Sequence, residues 1–229
     1  MSEQVHAPYP QFPVNILFHG VGTPERRLEA GEDRYWVDRD RFQAVLDEVA
    51  RWPRVRLSFD DGNASDVEIA LPALLDRGLS ADFFVLAHRI GSPGSLREDD
   101  VQALIKNGMT VGTHGMGHRS WRRMDGATAR EEFIVARDRV ASVTGKPVTR
   151  AACPLGQYDR ACLSALRRLG YTTVYTSDRR PARPGHWLQP RFSVRRGDTP
   201  EALRTEVLHS RRLSARLRAS AVGAVKRWR

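Results

Sequence analysis

Leu57-Ser58-Phe59-Asp60-Asp61-Gly62 is the stretch on which the fold turns. Val55, Leu57 and Phe59 alternate with Arg56 and Ser58, the period-two pattern of a half-buried strand. Two adjacent carboxylates follow where that pattern stops and a glycine begins. Successive side chains on a strand point to opposite faces, so Asp60 and Asp61 are expected to aim in different directions. One can bind a cation while the other handles a proton. Downstream, His114-Gly115-Met116-Gly117-His118 sets two imidazoles four residues apart. That spacing brings both to one point if the segment makes a helical turn. One carboxylate with two histidines is a half-open ligand set for a divalent metal.

Outward from this stretch, short apolar runs alternate with helical patterns. Strands are predicted over 14–18, 55–59, 81–87, 109–113, 148–153 and 172–176, and 187–194 can supply a seventh. Helices are predicted over 38–51, 65–77, 98–107, 127–144 and 159–169. The first of these gathers Phe42, Val45, Leu46 and Val49 on one face behind an aspartate cap. Each of the other four stops at a glycine: Gly78, Gly108, Gly145 and Gly170. This alternation implies parallel strands joined by helical crossovers, buried on both faces and open to ligand at their carboxyl ends. In a barrel those ends share one rim. His19, Asp60, Asp61, His114 and the Cys153-Pro154-Leu155-Gly156 turn all follow strand ends.

Composition narrows the classes. The 229 residues are 41% apolar, enough for a sizeable core. Of the net charge of +10, +6 falls in 201–229, where eight Lys/Arg face only Glu201 and Glu206. The body is only mildly basic and shows no basic groove with interleaved aromatics, so no nucleic-acid partner is expected. Cys153 and Cys162 are too few for a disulfide framework or a zinc ribbon and read as reduced thiols. Residues 1–13 are polar and proline-rich without an apolar run, and no stretch approaches the ~18 apolar residues of a membrane span. A cytoplasmic location is the expectation. In the tail, Leu213, Leu217, Ala221 and Val225 recur every four residues among arginines. This reads as a solvated terminal helix, or as one touching anionic lipid weakly at the inner face of a membrane.

Four segments together resemble the NodB-homology polysaccharide deacetylases. Ser58-Phe59-Asp60-Asp61-Gly62 is similar to that family's (T/S)-F-D-D-G motif, and His114 to His118 to its H-(S/T)-x-x-H motif, with Gly115 at the hydroxyl position. Cys153-Pro154-Leu155-Gly156 resembles the end of its R-x-P-(Y/F)-G motif, and Phe18-His19-Gly20-Val21 a Y-H-G-V segment near the start of many members. The resemblance spans roughly residues 14–194. It implies an α/β fold, a distorted (β/α) barrel of about seven parallel strands over 1–199, followed by a basic C-terminal helical tail over 200–229. It further implies Asp60 as catalytic base, and Asp61, His114 and His118 as ligands of a divalent metal, most often Zn2+. Pro154, Leu155 and Gly156 would line the substrate groove; His19 would line it too, or simply hydrogen-bond at a strand end. The implied reaction removes an acetyl group from an N- or O-acetylated saccharide or glycan precursor. Hydrolysis of another non-peptide C–N bond, or saccharide binding without catalysis, are the alternatives. Besides Gly115, the chain departs from the family at three points. Ala152 stands where the family carries arginine, Leu155 where it carries an aromatic, and no late L-x-H motif supplies an acid, His186 and His209 being the only later histidines.

Overall fold

The computed structural model describes residues 9–210. Eight strands form one sheet in the order β7-β6-β5-β4-β3-β2-β1-β8, and every pairing is parallel. They are β1 (Val14–Phe18), β2 (Val55–Asp61), β3 (Ala81–Val85), β4 (Thr110–Thr113), β5 (Arg150–Ala152), β6 (Thr173–Thr176), β7 (Leu188–Pro190) and β8 (Phe192–Ser193). The two ends of that order, β7 and β8, are separated in the chain by Arg191 alone. The sheet therefore curls until its edges nearly meet, giving a (β/α) barrel.

The stretch 187–194, expected as a seventh strand, is thus two strands, and the barrel has eight. Leu188, Gln189 and Pro190 pair with β6, while Phe192 and Ser193 pair with β1 on the opposite edge. An extended segment lying across the seam can bond either edge. It changes neighbour at Arg191, whose N–H still donates to Thr176 O at 2.9 Å before Val194 N donates to Leu17 O at 2.8 Å.

Helices α1 (Arg39–Val49), α2 (Leu71–Leu75), α3 (Glu98–Lys106), α4 (Gly126–Arg130), α5 (Ala136–Thr144) and α6 (Arg160–Arg168) lie in the crossovers, and α7 (Pro200–His209) follows β8. Asp38 caps α1 by accepting from Arg41 N, and Asp159 caps α6 by accepting from Cys162 N. The helix predicted over 127–144 is α4 and α5 joined through a π-helical turn at Glu131–Val135.

The alternation of the strands sorts two cores. Phe18, Phe59 and Phe83, on neighbouring strands, stack at 5.3 and 4.8 Å between centroids, and Phe42 of α1 meets Phe18 edge-on at 5.1 Å. That face packs under the helices. The opposite face, inside the barrel, carries Ser58, Asp60, Phe84 and Tyr175. Helix α7 joins the helix-side core through Leu203 and Val207, both fully buried. The arginine-rich remainder of the tail, with its leucine stripe, lies outside the described residues.

Candidate metal centre and active site

Asp61, His114 and His118 each offer a ligand atom within 4.8 Å of the others. Nε2 of His114 and Nε2 of His118 both lie 3.6 Å from Asp61 Oδ1. That is too long for a hydrogen bond, but donors about 2.0–2.2 Å from one shared ion stand apart by such a distance. Asp61 is buried, and neither of its carboxylate oxygens has a hydrogen-bond partner. A buried ionised carboxylate left unanswered is costly, so the residues present fit a divalent cation.

Backbone geometry gathers the three. Asp61 adopts a left-handed conformation, φ 79°, which breaks the strand's alternation at that residue. The two carboxylates therefore converge instead of diverging as a regular strand would have them: His114 Nε2 is 3.8 Å from Asp60 Oδ2 as well as 3.6 Å from Asp61 Oδ1. The histidine segment is a loop, not the helical turn expected, with Gly115 at φ 86° and His118 at φ 50°. Its rings still approach to 5.5 Å. Gly115 is required twice over. Its φ favours glycine, and a Cβ there would fall 2.2 Å from Glu132 Oε2. Glu132, fully buried, accepts hydrogen bonds from Met116 N (2.9 Å) and Trp121 Nε1 (3.1 Å). Its carboxylate occupies the space that a side chain at 115 would need.

Protonation suits the ligand set. Burial holds the His114 imidazole down at about 4 despite the pull of Asp60 and Asp61, so it is neutral. Its Nδ1 faces Ala152 O at 3.0 Å; as donor there, it leaves the Nε2 lone pair for a metal. Burial alone would raise Asp61, but His118, His19 and His114 more than offset it and bring the carboxyl to about 2. Neutral imidazole and ionised carboxylate are the metal-binding forms.

Asp60 is held by a residue that the sequence motifs did not reveal. Arg191 NH1 and NH2 donate to Asp60 Oδ1 and Oδ2, both at 2.7 Å. Arg191 is itself fully buried. NH1 also donates to Ser58 Oγ at 3.1 Å and Nε to Thr176 O at 3.3 Å, while the guanidinium lies 5.4 Å from the Phe84 ring and 5.6 Å from Tyr175. Burial would push Asp60 up, yet Arg191 and then His114 hold it below the ordinary carboxylate value. A carboxylate offers about four lone-pair sites. The fork takes two of them and leaves the others for a proton. The signal in the sequence was a lone charge inside the run 187–194, since an arginine buried in an extended segment needs a carboxylate partner.

These groups open on a cavity of about 390 Å³, the size of a small-ligand site. His19 lines it from the end of β1, its ring tilted against Tyr35 at 4.9 Å; burial lowers its imidazole pKa and its Nδ1 has no partner. Leu155 and Gly156 line it as well, whereas Pro154 is buried behind them and does not. Leu155 takes φ 57° and stands 53% exposed at the wall. Cys153 also lines the cavity, but burial and the neighbouring Cys162 push its thiol well up, away from a nucleophile's range. His186 and His209 are exposed and line no part of the cavity.

The family model described as polysaccharide deacetylase matches residues 49–174, which is more than half of the chain. The chain belongs to the polysaccharide deacetylase family. The Bacillus subtilis (strain 168) protein YxkH, which carries that family's name, is 23% identical over 179 residues. The match covers 71% of this chain, which spans 63% of the length of YxkH. Among solved structures, the deacetylase PplD of Streptococcus pyogenes superposes with a TM-score of 0.73 at 18% identity, covering 87% of this chain and 99% of its own. IcaB from Ammonifex degensii gives 0.68 at 20% identity, covering 85% and 95%. At these identities the structures establish the shared fold. In this member of the family, Arg191 contacts Asp60 from the barrel seam, while the position before Cys153 is the alanine whose carbonyl faces His114.

Proposed function

We propose that this chain is a metal-dependent hydrolase that removes an acetyl group from an N- or O-acetylated saccharide, with Asp60 as base and Asp61, His114 and His118 holding Zn2+. The observation that carries this reading is the meeting of a tethered carboxylate and a three-donor ligand set at one cavity. A zinc ion held there would polarise the acyl carbonyl and acidify water. Asp60, kept ionised and fixed in aim by Arg191, takes a proton from the attacking water, worth about 10²–10⁴-fold in rate. The backbone N–H of Leu155, in the left-handed turn at the cavity wall, would donate to the developing oxyanion. Leu155 and the Tyr35–His19 pair give the sugar apolar faces to rest against. The sequence lacks the late L-x-H motif that supplies an acid in the family, so Asp60 returns its proton to the leaving nitrogen. An ester oxygen needs that proton less, which keeps O-acetyl substrates within the proposal. Elemental analysis of the purified protein, paired with acetate release from a panel of N- and O-acetylated sugars, tests it. Stoichiometric zinc with acetate release is the expected result; a protein free of bound metal that releases none would overturn it.

A further inference from the structure

The two histidines of the candidate metal centre are aimed by unlike partners. His114 Nδ1 faces a main-chain carbonyl, Ala152 O, which the fold itself fixes. His118 Nδ1 faces Glu29 Oε2 at 2.6 Å, a carboxylate 89 residues away in the sequence. We propose that Glu29 is a positioning residue for the metal, fixing the tautomer and aim of His118 and so setting how tightly the cation is held. This rests on the reading of Asp61, His114 and His118 as the metal site.

The chemistry follows from the contact. An imidazole that donates Nδ1–H to a carboxylate must present its Nε2 lone pair, here toward Asp61 Oδ1. Glu29 is in turn held. Its other oxygen, Oε1, takes the guanidinium of Arg89 from the turn after β3. Its own N–H donates to Glu32 Oε2 at 2.8 Å. Glu32 pairs with Arg26, whose Nε reaches Asn63 Oδ1 at 3.0 Å, two residues past Asp61. The segment around Glu29 is thus strapped to the chain that carries the metal aspartate. Residues of that segment, Glu29 to Glu32 with Arg34 and Tyr35, form one wall of the cavity, so Glu29 joins that wall to His118.

The test is zinc affinity of the full chain, read by competition with a chromogenic chelator, with no turnover involved. Glu29→Gln is expected to weaken zinc binding about 10–100-fold while the melting temperature of the metal-free protein stays within about 2 °C. Arg34→Ala removes the Arg34 Nε bond to Gly31 O and loosens the same loop with the Glu29 carboxylate intact. It is expected to stay within about threefold of the parent. Glu29→Gln binding zinc as tightly as the parent would overturn the proposal. So would Arg34→Ala losing as much affinity as Glu29→Gln, because the effect would then be one of loop structure. A parent protein that binds no zinc would instead bring down the metal reading beneath it.

Discussion

The two halves of the barrel are held together by different physics. From β1 to β4 the strands are four to seven residues long, and β1 pairs with β2 through five consecutive residues. Stacked phenylalanines close the outer face. From β5 to β8 the strands are two to four residues long, and β4 meets β5 through the single pair Thr113–Ala151. Here side chains take over. Asn15 Nδ2 donates to Gln189 Oε1 at 3.1 Å and to Pro190 O at 3.0 Å, Tyr175 OH donates to Asp82 Oδ2 at 2.8 Å, and Arg191 clasps Asp60. Apolar burial builds the half that bears the candidate metal ligands. A polar seam closes the other and supplies the tether of Asp60, the proposed base. The site lies where the two meet, so a substitution in one half is felt in a different currency from one in the other.

That contrast can be broken at its strongest point first. Asp60→Asn keeps the shape and the ligand set, so it is expected to lower kcat about 10²–10⁴-fold with zinc content unchanged by elemental analysis. Arg191→Met attacks the seam instead. It strands a buried carboxylate, and removing one partner of a buried pair costs about 3–5 kcal/mol. Urea unfolding should show that loss, whereas trimming Arg41, paired with Asp38 on the exposed flank of α1, should cost under about 1 kcal/mol.

Acid should expose the half with the candidate metal ligands next. His114 is neutral when folded, at about 4, against about 6.5 when unfolded. Between those values only the unfolded chain takes up its proton, so stability falls as pH drops from 6.5 toward 4, by up to about 1.4 kcal/mol per unit. Asp60 and Asp61, depressed in the fold, add their loss only below about 4, whereas Asp66, pushed up by burial, works in the opposite direction. Thermal melts of metal-free protein across this range check the order, and a flat profile between 6.5 and 4 would refute it. A smaller loss than at Arg191 is expected at Gly115→Ala, where crowding against Glu132 and a left-handed φ should cost about 1–3 kcal/mol, read from the same urea curves.

The first half was legible because its signals are local. Val55 to Gly62 announces a strand and its terminal carboxylates within eight residues, and the histidine pair follows another strand directly. The second half was not, because its meaning lies in partners far along the chain. Arg191 needs Asp60, 131 residues back, and a segment of three plus two paired residues carries no period that separates it from one strand of eight. The convergence of Asp60 and Asp61 was hidden for another reason: alternation predicts divergence, and only the left-handed φ at Asp61 reverses it. Glu29 and Glu132 look like ordinary surface glutamates in sequence, and only tertiary contact gives them work.

The glycine at 115 and the glutamate at 132 constrain each other's history. Adding a side chain at the first without shortening the second drives it into a carboxylate, and shortening the second alone strands the Met116 amide and the Trp121 indole that it satisfies. Neither position can drift by itself. Grafting this histidine loop into a relative, or a relative's loop into this chain, succeeds only if both residues travel together.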